Sequence, residues 1–342
     1  MVSLNQSHIT IAAGTVFLVL VSALLFRKYK KEKIPNEWIE VGKLKGIFLY
    51  PLKSGKGLQS TRVFCGPKGI REIEKGYNVT SLKDRSFLLY TSKDREVRTA
   101  RQCPKAVLIE VRPTENGVIF SAPGMTDLFI NVPAVRNNVT VVSIWGSVFG
   151  NEYFVCTDCG DAVATWLSKF LLEKDQGMRL GYGDGSTFRN LLQAHKKWAE
   201  YYTQIDNYLS GIFSDLAALH LINQASVDDV NEKLPENHKI SFRNFRPNLL
   251  VEGPEAFEED KWEYIKVGEV VAKVCLECLR CIETTVSQDG TMNKERQPLK
   301  TLEKYRVSKG PFKYPPMGLY LKVIKTGKLQ EGDPVYVSKT LK

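Results

Sequence analysis

Three of the seven cysteines fall in one stretch, Cys275-Leu-Glu-Cys-Leu-Arg-Cys281, and Arg280 directly precedes the last of them. The thiolate, not the thiol, binds metals and attacks electrophiles, and an adjacent fixed positive charge lowers a cysteine's pKa. Arg280 is therefore expected to favour the thiolate of Cys281. Spacing alone leaves three roles open: a metal or cofactor ligand, a redox disulfide, or small hydrophobes that fill space. Cys156/Cys159 and Cys275/Cys278 form two Cys-x-x-Cys pairs, and four such thiolates can hold structural zinc. The 115 residues between the pairs are long for a zinc ribbon. Cys275, Cys278 and Cys281 also give part of an iron–sulfur pattern, without its fourth cysteine and with Ile282 where proline usually follows.

Several chemistries are excluded. His8, His195, His220 and His238 share no metal-binding spacing, so a three-histidine or His-Glu-x-x-His zinc site is absent. There is no Gly-x-Ser-x-Gly nucleophile elbow and no P-loop. Gly181-Tyr-Gly-Asp-Gly-Ser186 lacks a preceding strand and the full dinucleotide fingerprint, and reads as a flexible loop. A redox enzyme built on this chain must draw its nicotinamide and flavin chemistry from another protein.

The elements that position these residues are mostly strands. Short apolar runs broken by Gly, Pro, Asn and Asp predict strands at Leu44–Tyr50, Phe87–Thr91, Val107–Val111, Gly117–Ser121, Leu128–Val132 and Val139–Ile144. Further strands are expected at Leu249–Glu252, at Glu269–Val274 and over the run Ile282–Val286 that follows Cys281. Tyr320–Ile324 and Pro334–Ser338 flank Gly327-Lys-Leu-Gln-Glu-Gly-Asp333 as a hairpin. Val163, Trp166, Leu167, Phe170 and Leu171 fall at helical spacing within Asp161–Leu172. A short helix over Ser226–Leu234 would take Ser226 as its N-cap. Residues 176–190 read as an exposed connection between a β-rich domain over 42–175 and a second domain over 188–342.

Residues 9–26 carry no charge, and as a helix 18 residues reach about 27 Å, enough to cross a bilayer core. Residues 1–8 hold no Lys or Arg, unlike a signal peptide, so they form a short tail before a retained single transmembrane anchor. The linker over 27–41 opens with Arg27, Lys28, Lys30, Lys31 and Lys33 against Glu32, which places the rest of the chain in the cytosol. An outer mitochondrial membrane location is expected, with the endoplasmic reticulum as the alternative. Seven cysteines in a reducing compartment argue against a disulfide framework, and the sequons at Asn78 and Asn138 would go unused. The net charge of +10 suits an acidic partner protein or an anionic ligand, and no nucleic-acid motif is present.

Seven short motifs then fall in one order. They are Tyr50-Pro-Leu-Lys-Ser-Gly-Lys-Gly57, Leu82-Lys-Asp-Arg-Ser-Phe87, Thr99-Ala-Arg-Gln102, Asp158-Cys-Gly160 with Trp166, Asn244-Phe-Arg-Pro-Asn248, Arg280-Cys-Ile282 with Thr284-Thr-Val286, and Gly332-Asp-Pro-Val335. In this order the chain resembles the MOSC-domain family, and most closely its mitochondrial amidoxime-reducing branch. The resemblance implies an α+β, β-rich fold: a MOSC β-barrel with packed helices, plus an N-terminal MOSC-associated β domain. It implies a molybdenum cofactor (Mo-molybdopterin) with Cys281 as the protein ligand to the metal. It implies pterin and phosphate contacts from Lys53, Ser54, Arg85, Arg246, Arg280 and Tyr320. Cationic donors and a hydroxyl suit a phosphate, and thiolate suits a soft metal.

The implied function is reduction of N-hydroxylated compounds such as amidoximes and hydroxylamines. Electrons would come from NADH through cytochrome b5 reductase and cytochrome b5, and the chain is expected to act as a monomer. A cofactor carrier or sulfur-transfer module, or a non-catalytic membrane adaptor, is the alternative. The chain departs from the family at Asp215-Leu-Ala-Ala-Leu219, where small hydroxyl residues and a proline are usual, and at Leu279. Cys275 and Cys278 are not general family features, and space-filling is their expected role.

Overall fold

The computed structural model describes residues 33–73, 82–132, 138–144 and 152–339. The expected anchor at 9–26 and the sequon at Asn78 lie outside them. No helix among the described residues is long and apolar enough to cross a membrane.

Residues 36–342 form one compact unit. Its first half carries β1 (Trp38–Leu49), β2 (Leu58–Ser60), β3 (Arg62–Gly66), β4 (Gly69–Glu72), β5 (Phe87–Thr91), β6 (Val97–Arg98), β7 (Glu110–Pro113), β8 (Val118–Ser121), β9 (Leu128–Ile130), β10 (Val139–Ile144), β11 (Glu152–Asp158), α1 (Asp161–Leu172) and β12 (Met178–Tyr182). The second half carries α2 (Leu191–Ala194), α3 (Lys196–Tyr201), β13 (Leu219–Asn223), α4 (Gln224–Lys233), β14 (Leu249–Glu252), β15 (Tyr264–Val267), β16 (Val270–Leu279), α5 (Leu299–Tyr305), β17 (Pro316–Lys325), β18 (Gly327–Gln330) and β19 (Pro334–Ser338).

Because β1 pairs with both β14 and β19, seven strands close into a barrel in the order β1-β14-β13-β17-β16-β15-β19. Closure removes free sheet edges. β13 and β14 run parallel, a pairing that needs a crossover, and α4 lies between them in sequence. Leu44, Ile47, Leu221, Val251, Leu321 and Val335 fill the barrel core. A second, five-stranded sheet, β10-β11-β12-β5-β6, packs Phe87, Leu89 and Leu180 with Val163, Trp166, Leu167 and Phe170 of α1. These α1 residues recur at a spacing of three and four, which puts them on one helix face.

The β-rich reading, α1, β5, β10, β14 and β19 agree with expectation. Five local readings need correction. Pro104–Leu108 is a 3₁₀ turn led by proline, so the strand expected at Val107–Val111 begins only at Glu110. Residues 176–190 contain β12, which pairs with both β5 and β11 and whose Met178, Leu180 and Gly181 are buried. Gly181 therefore sits in a sheet and not in a flexible loop. Asn223, not Ser226, caps α4, and the Ser226 hydroxyl turns to the Glu259 carboxylate. Gly327–Gln330 is a strand paired with β3, and β17 and β19 occupy separate places in the barrel, so no hairpin joins them. Ile282–Thr285 is a 3₁₀ turn whose hydroxyls bond back to the carbonyls of Cys281 and Ile282.

Candidate functional site

One cleft of about 690 Å³, including its open mouth, is lined by Lys53, Ser54, Arg85, Arg246, Arg280, Cys281 and Tyr320 together. All seven expected site residues thus meet, although they are spread from position 53 to position 320. Lys53 and Ser54 follow β1, where Lys53 N–H bonds to Phe87 O at 2.8 Å. Arg85 precedes β5, Arg246 precedes β14, and Cys281 lies two residues beyond the end of the long strand β16, at the start of the 3₁₀ turn Ile282–Thr285. The cleft therefore gathers loops at strand ends, with Tyr320 reaching in from β17.

Backbone strain concentrates here. Ser54, Arg85 and Arg246 all adopt left-handed conformations, at φ 65°, 48° and 56°. Each costs of order 1–2 kcal/mol for a residue with a Cβ, and such residues cluster at functional sites. Gly318, at φ 76°, lets His220 come close: a Cβ there would lie 2.7 Å from the His220 Nε2 and 2.4 Å from Leu221 O.

The charges are ordered. Tyr50 lies between two guanidinium groups, Arg246 at 4.3 Å and Arg85 at 5.0 Å from its ring centroid. Arg85 pairs with Asp84, whose other oxygen accepts from Tyr50 N–H at 2.8 Å. Arg246 donates to Gly55 O at 2.7 Å, while its Nη2 is buried and makes no hydrogen bond. Lys53 is buried and donates to Phe213 O at 3.0 Å and to Asp215. Arg101 bridges Asp215 at 3.5 Å and Glu283 at 3.7 Å. Glu283 also accepts from the Ser54 hydroxyl at 2.9 Å. Five cations (Lys53, Arg85, Arg101, Arg246, Arg280) stand against three carboxylates (Asp84, Asp215, Glu283), an excess of two positive charges.

Arg280 acts differently from expectation. Its Nε and Nη2 donate to Met317 O at 2.9 and 2.6 Å, its Nη1 donates to Phe245 O at 3.1 Å, and Nη2 also meets His220. Most of its donors are thus spent on the protein's own acceptors. Burial, aided by Arg280, pushes the His220 pKa well down, so this imidazole is neutral. Nor does Arg280 set the state of Cys281. Burial pushes the Cys281 thiol up, and the cation opposing that rise is Arg101. Arg280 instead acts on Cys278, against a rise also caused by burial. Burial holds the Tyr320 phenol well above its ordinary range, so it is protonated.

Burial works to raise the Asp215 carboxyl, but Lys53 and Arg101 override it and hold the group below the usual carboxylate range. Asp215 lies in the segment that departs from the family, and its side chain is 45% exposed.

Several neighbours of these side chains escaped the sequence reading. Arg101 stands in the motif Thr99–Gln102, and Tyr50 and Asn248 each lie at the end of a motif. The Asn248 amide oxygen accepts from His220 N–H at 3.1 Å and its amide nitrogen donates to Phe48 O at 3.1 Å. Asp215 and Glu283 gave no signal beyond their charge. The two Cys-x-x-Cys pairs do not assemble: Cys156, Cys159 and Cys275 pack in three different apolar clusters. Cys278 is buried yet lines the cleft. Among the described residues, no group of three or more His, Cys, Asp or Glu is placed to hold a metal ion.

Comparison with known proteins gives a consistent picture. Residues 41–174 match the MOSC N-terminal beta barrel domain and residues 210–336 match the MOSC domain. The chain is 34% identical to mitochondrial amidoxime reducing component 2 of Rattus norvegicus, over 97% of this chain and 94% of that protein. It is 33% identical to component 2 of Homo sapiens, over 87% of this chain and 84% of that one. Against component 1 of Danio rerio the identity is 32%, over 97% and 95% of the two chains.

Proposed function

We propose, on the premise that the chain belongs to the mitochondrial amidoxime-reducing components of the MOSC-domain family, that it reduces N-hydroxylated compounds with a molybdenum cofactor held in this cleft. The observation that carries the reading is the convergence of seven distant residues on one cleft with two surplus positive charges. A phosphate monoester carries close to two negative charges, which matches that surplus. The unpartnered Arg246 Nη2 gives such an anion a ready donor.

Lys53, Ser54, Arg85 and Arg246 would hold the phosphate end, and Arg246 and Arg85 keep the Tyr50 ring fixed between them. Cys281 would be the single protein ligand to molybdenum, in the turn just beyond β16. The bound cofactor would supply the two-electron redox centre for removal of the substrate oxygen. Because burial keeps the free Cys281 thiol protonated, Cys281 would give up that proton on binding the metal, and Arg101 is the cation that would stabilise its thiolate. The protonated Tyr320 phenol offers a hydrogen-bond donor in the cleft, and neutral His220 keeps Arg280 in place. N–O reduction also consumes two protons, which solvent can deliver through the open mouth.

Electrons would arrive from NADH through cytochrome b5 reductase and cytochrome b5. The net charge of +10 favours encounter with an acidic carrier. Residues 9–26 would anchor the chain in the outer mitochondrial membrane with its folded part in the cytosol, as a monomer. The test compares wild type with Cys281→Ser for molybdenum content and for benzamidoxime turnover. About one metal per chain and turnover in the wild type, with both lost in a folded variant, is the expected result. Metal-free wild type, or a variant that retains near-normal turnover, refutes the assignment.

A further inference from the structure

The segment 209–218 has no regular secondary structure, yet it carries Ser214, Asp215 and Ala217 into the cleft wall. On the cleft side it is tied by Phe213, whose N–H donates to Arg85 O at 3.1 Å and whose carbonyl accepts from Lys53 Nζ at 3.0 Å. Away from the cleft it is tied by the side chain of Arg189, which does not line the cleft. The Arg189 guanidinium donates to Gly211 O at 3.2 Å, Ser214 O at 2.9 Å and Asp215 O at 3.4 Å. Its other donors go to both oxygens of Glu152, at 2.8 and 3.0 Å. A guanidinium has five N–H donors, and here five acceptors take them.

Arg189 and Glu152 are 4% and 7% exposed, and the guanidinium lies 4.8 Å over the Phe154 ring. Glu152 opens β11 in the five-stranded sheet, so the loop is fastened to rigid structure. Three carbonyls of an irregular loop cannot satisfy one another. A buried forked cation satisfies all three, and the carboxylate opposite neutralises it.

We propose that Arg189 and Glu152 are positioning residues of the cleft. By fixing the 211–215 backbone they set where Asp215 meets Lys53 and Arg101, and where Phe213 O holds Lys53. Neither residue lines the cleft. The pair acts through the loop on the cations that bind it.

Two variants test this in the full chain. Arg189→Lys keeps the charge opposite Glu152 but offers three donors in place of five. Arg189→Met with Glu152→Leu removes both charges, so that neither is left buried alone. Hydrogen exchange at the Phe213 and Ala218 amides reads the loop. Inorganic phosphate titrated into cofactor-free protein reads the cleft, and KM against kcat per bound metal reads turnover of an amidoxime. Both variants are expected to lose exchange protection at these amides, weaken phosphate about tenfold, the equivalent of ~1.4 kcal/mol, and raise KM more than they lower kcat. If both variants keep wild-type exchange and phosphate affinity, the positioning role is wrong, even where the thermal midpoint falls. The inference rests on the cleft and not on the reaction. A wild type that turns over no amidoxime would overturn the functional reading, while exchange and phosphate affinity would still decide this one.

Discussion

Arg246→Gly separates what the cleft needs for binding from what the fold needs for stability. Arg246 sits at φ 56°, and glycine relieves roughly 1–2 kcal/mol of left-handed strain there. Extra freedom of the unfolded chain takes back about 0.4–1 kcal/mol of that gain. The variant also loses the bond to Gly55 O and the contact over Tyr50, together about 1.5–2.5 kcal/mol. Removing a cation whose buried Nη2 has no partner, and whose charge burial already disfavours, offsets part of that loss. The net cost should be about 1 kcal/mol, or roughly 1.5 °C in Tm for a chain of this size. Binding should suffer far more: a charge-assisted hydrogen bond is worth about 1.5–3 kcal/mol, so phosphate affinity should fall about 10- to 150-fold. Thermal unfolding of the cofactor-free protein and phosphate titration measure the two effects. Arg246→Ala is the control: it lacks the same side chain but keeps the strain, and should be about 1 kcal/mol less stable than the glycine variant. A fall in Tm beyond about 4 °C for Arg246→Gly, or unchanged phosphate affinity, would refute the reasoning.

Three further outcomes are expected. Glu259 is fully buried against Ser226 and Asn223, and burial raises its carboxyl above the ordinary range. Its contribution is therefore intact below the unfolded-state pKa and lost as pH rises through the folded one. Glu259→Gln should gain stability relative to wild type as pH rises from about 4 to about 8, read as the change in their urea-midpoint difference; a constant difference would rule this out. Gly318→Ala should cost about 2 kcal/mol or more and displace His220 from Arg280, visible as a shifted His220 imidazole resonance. Raising ionic strength from about 0.01 to 0.15 M should slow electron transfer from cytochrome b5 several-fold without changing turnover driven by a small chemical reductant; no salt dependence would remove the steering argument.

Local pattern carried much of this protein. The apolar run Phe87–Thr91 and the three-and-four spacing of Val163, Trp166, Leu167 and Phe170 specify β5 and α1 without help from distant residues. Where pattern failed, a longer-range force won. Met178–Tyr182 is rich in glycine nearby and looks like a linker, but it is flanked by β5 and β11, whose backbone groups it satisfies. Ile282–Thr285 is strand-like in composition, yet the Thr284 and Thr285 hydroxyls bond back to the carbonyls three residues earlier and close a turn.

The site divides the same way. The identities of Cys281, Lys53, Ser54, Arg85, Arg246 and Tyr320 stand in the sequence, because side-chain chemistry and motif order are properties of the chain. Their charge states and pairings are not, since these depend on distance and burial. Sequence adjacency made Arg280 the partner of Cys281, but an extended backbone sends neighbouring side chains to opposite faces. Tertiary structure gave Arg280 to His220, Met317 and Phe245, and brought Arg101 to Cys281 from 180 positions away. It also placed Asp215 on Lys53 and Arg101, and Arg189 behind Asp215. Such contacts form only once the barrel closes and its strand-end loops crowd together.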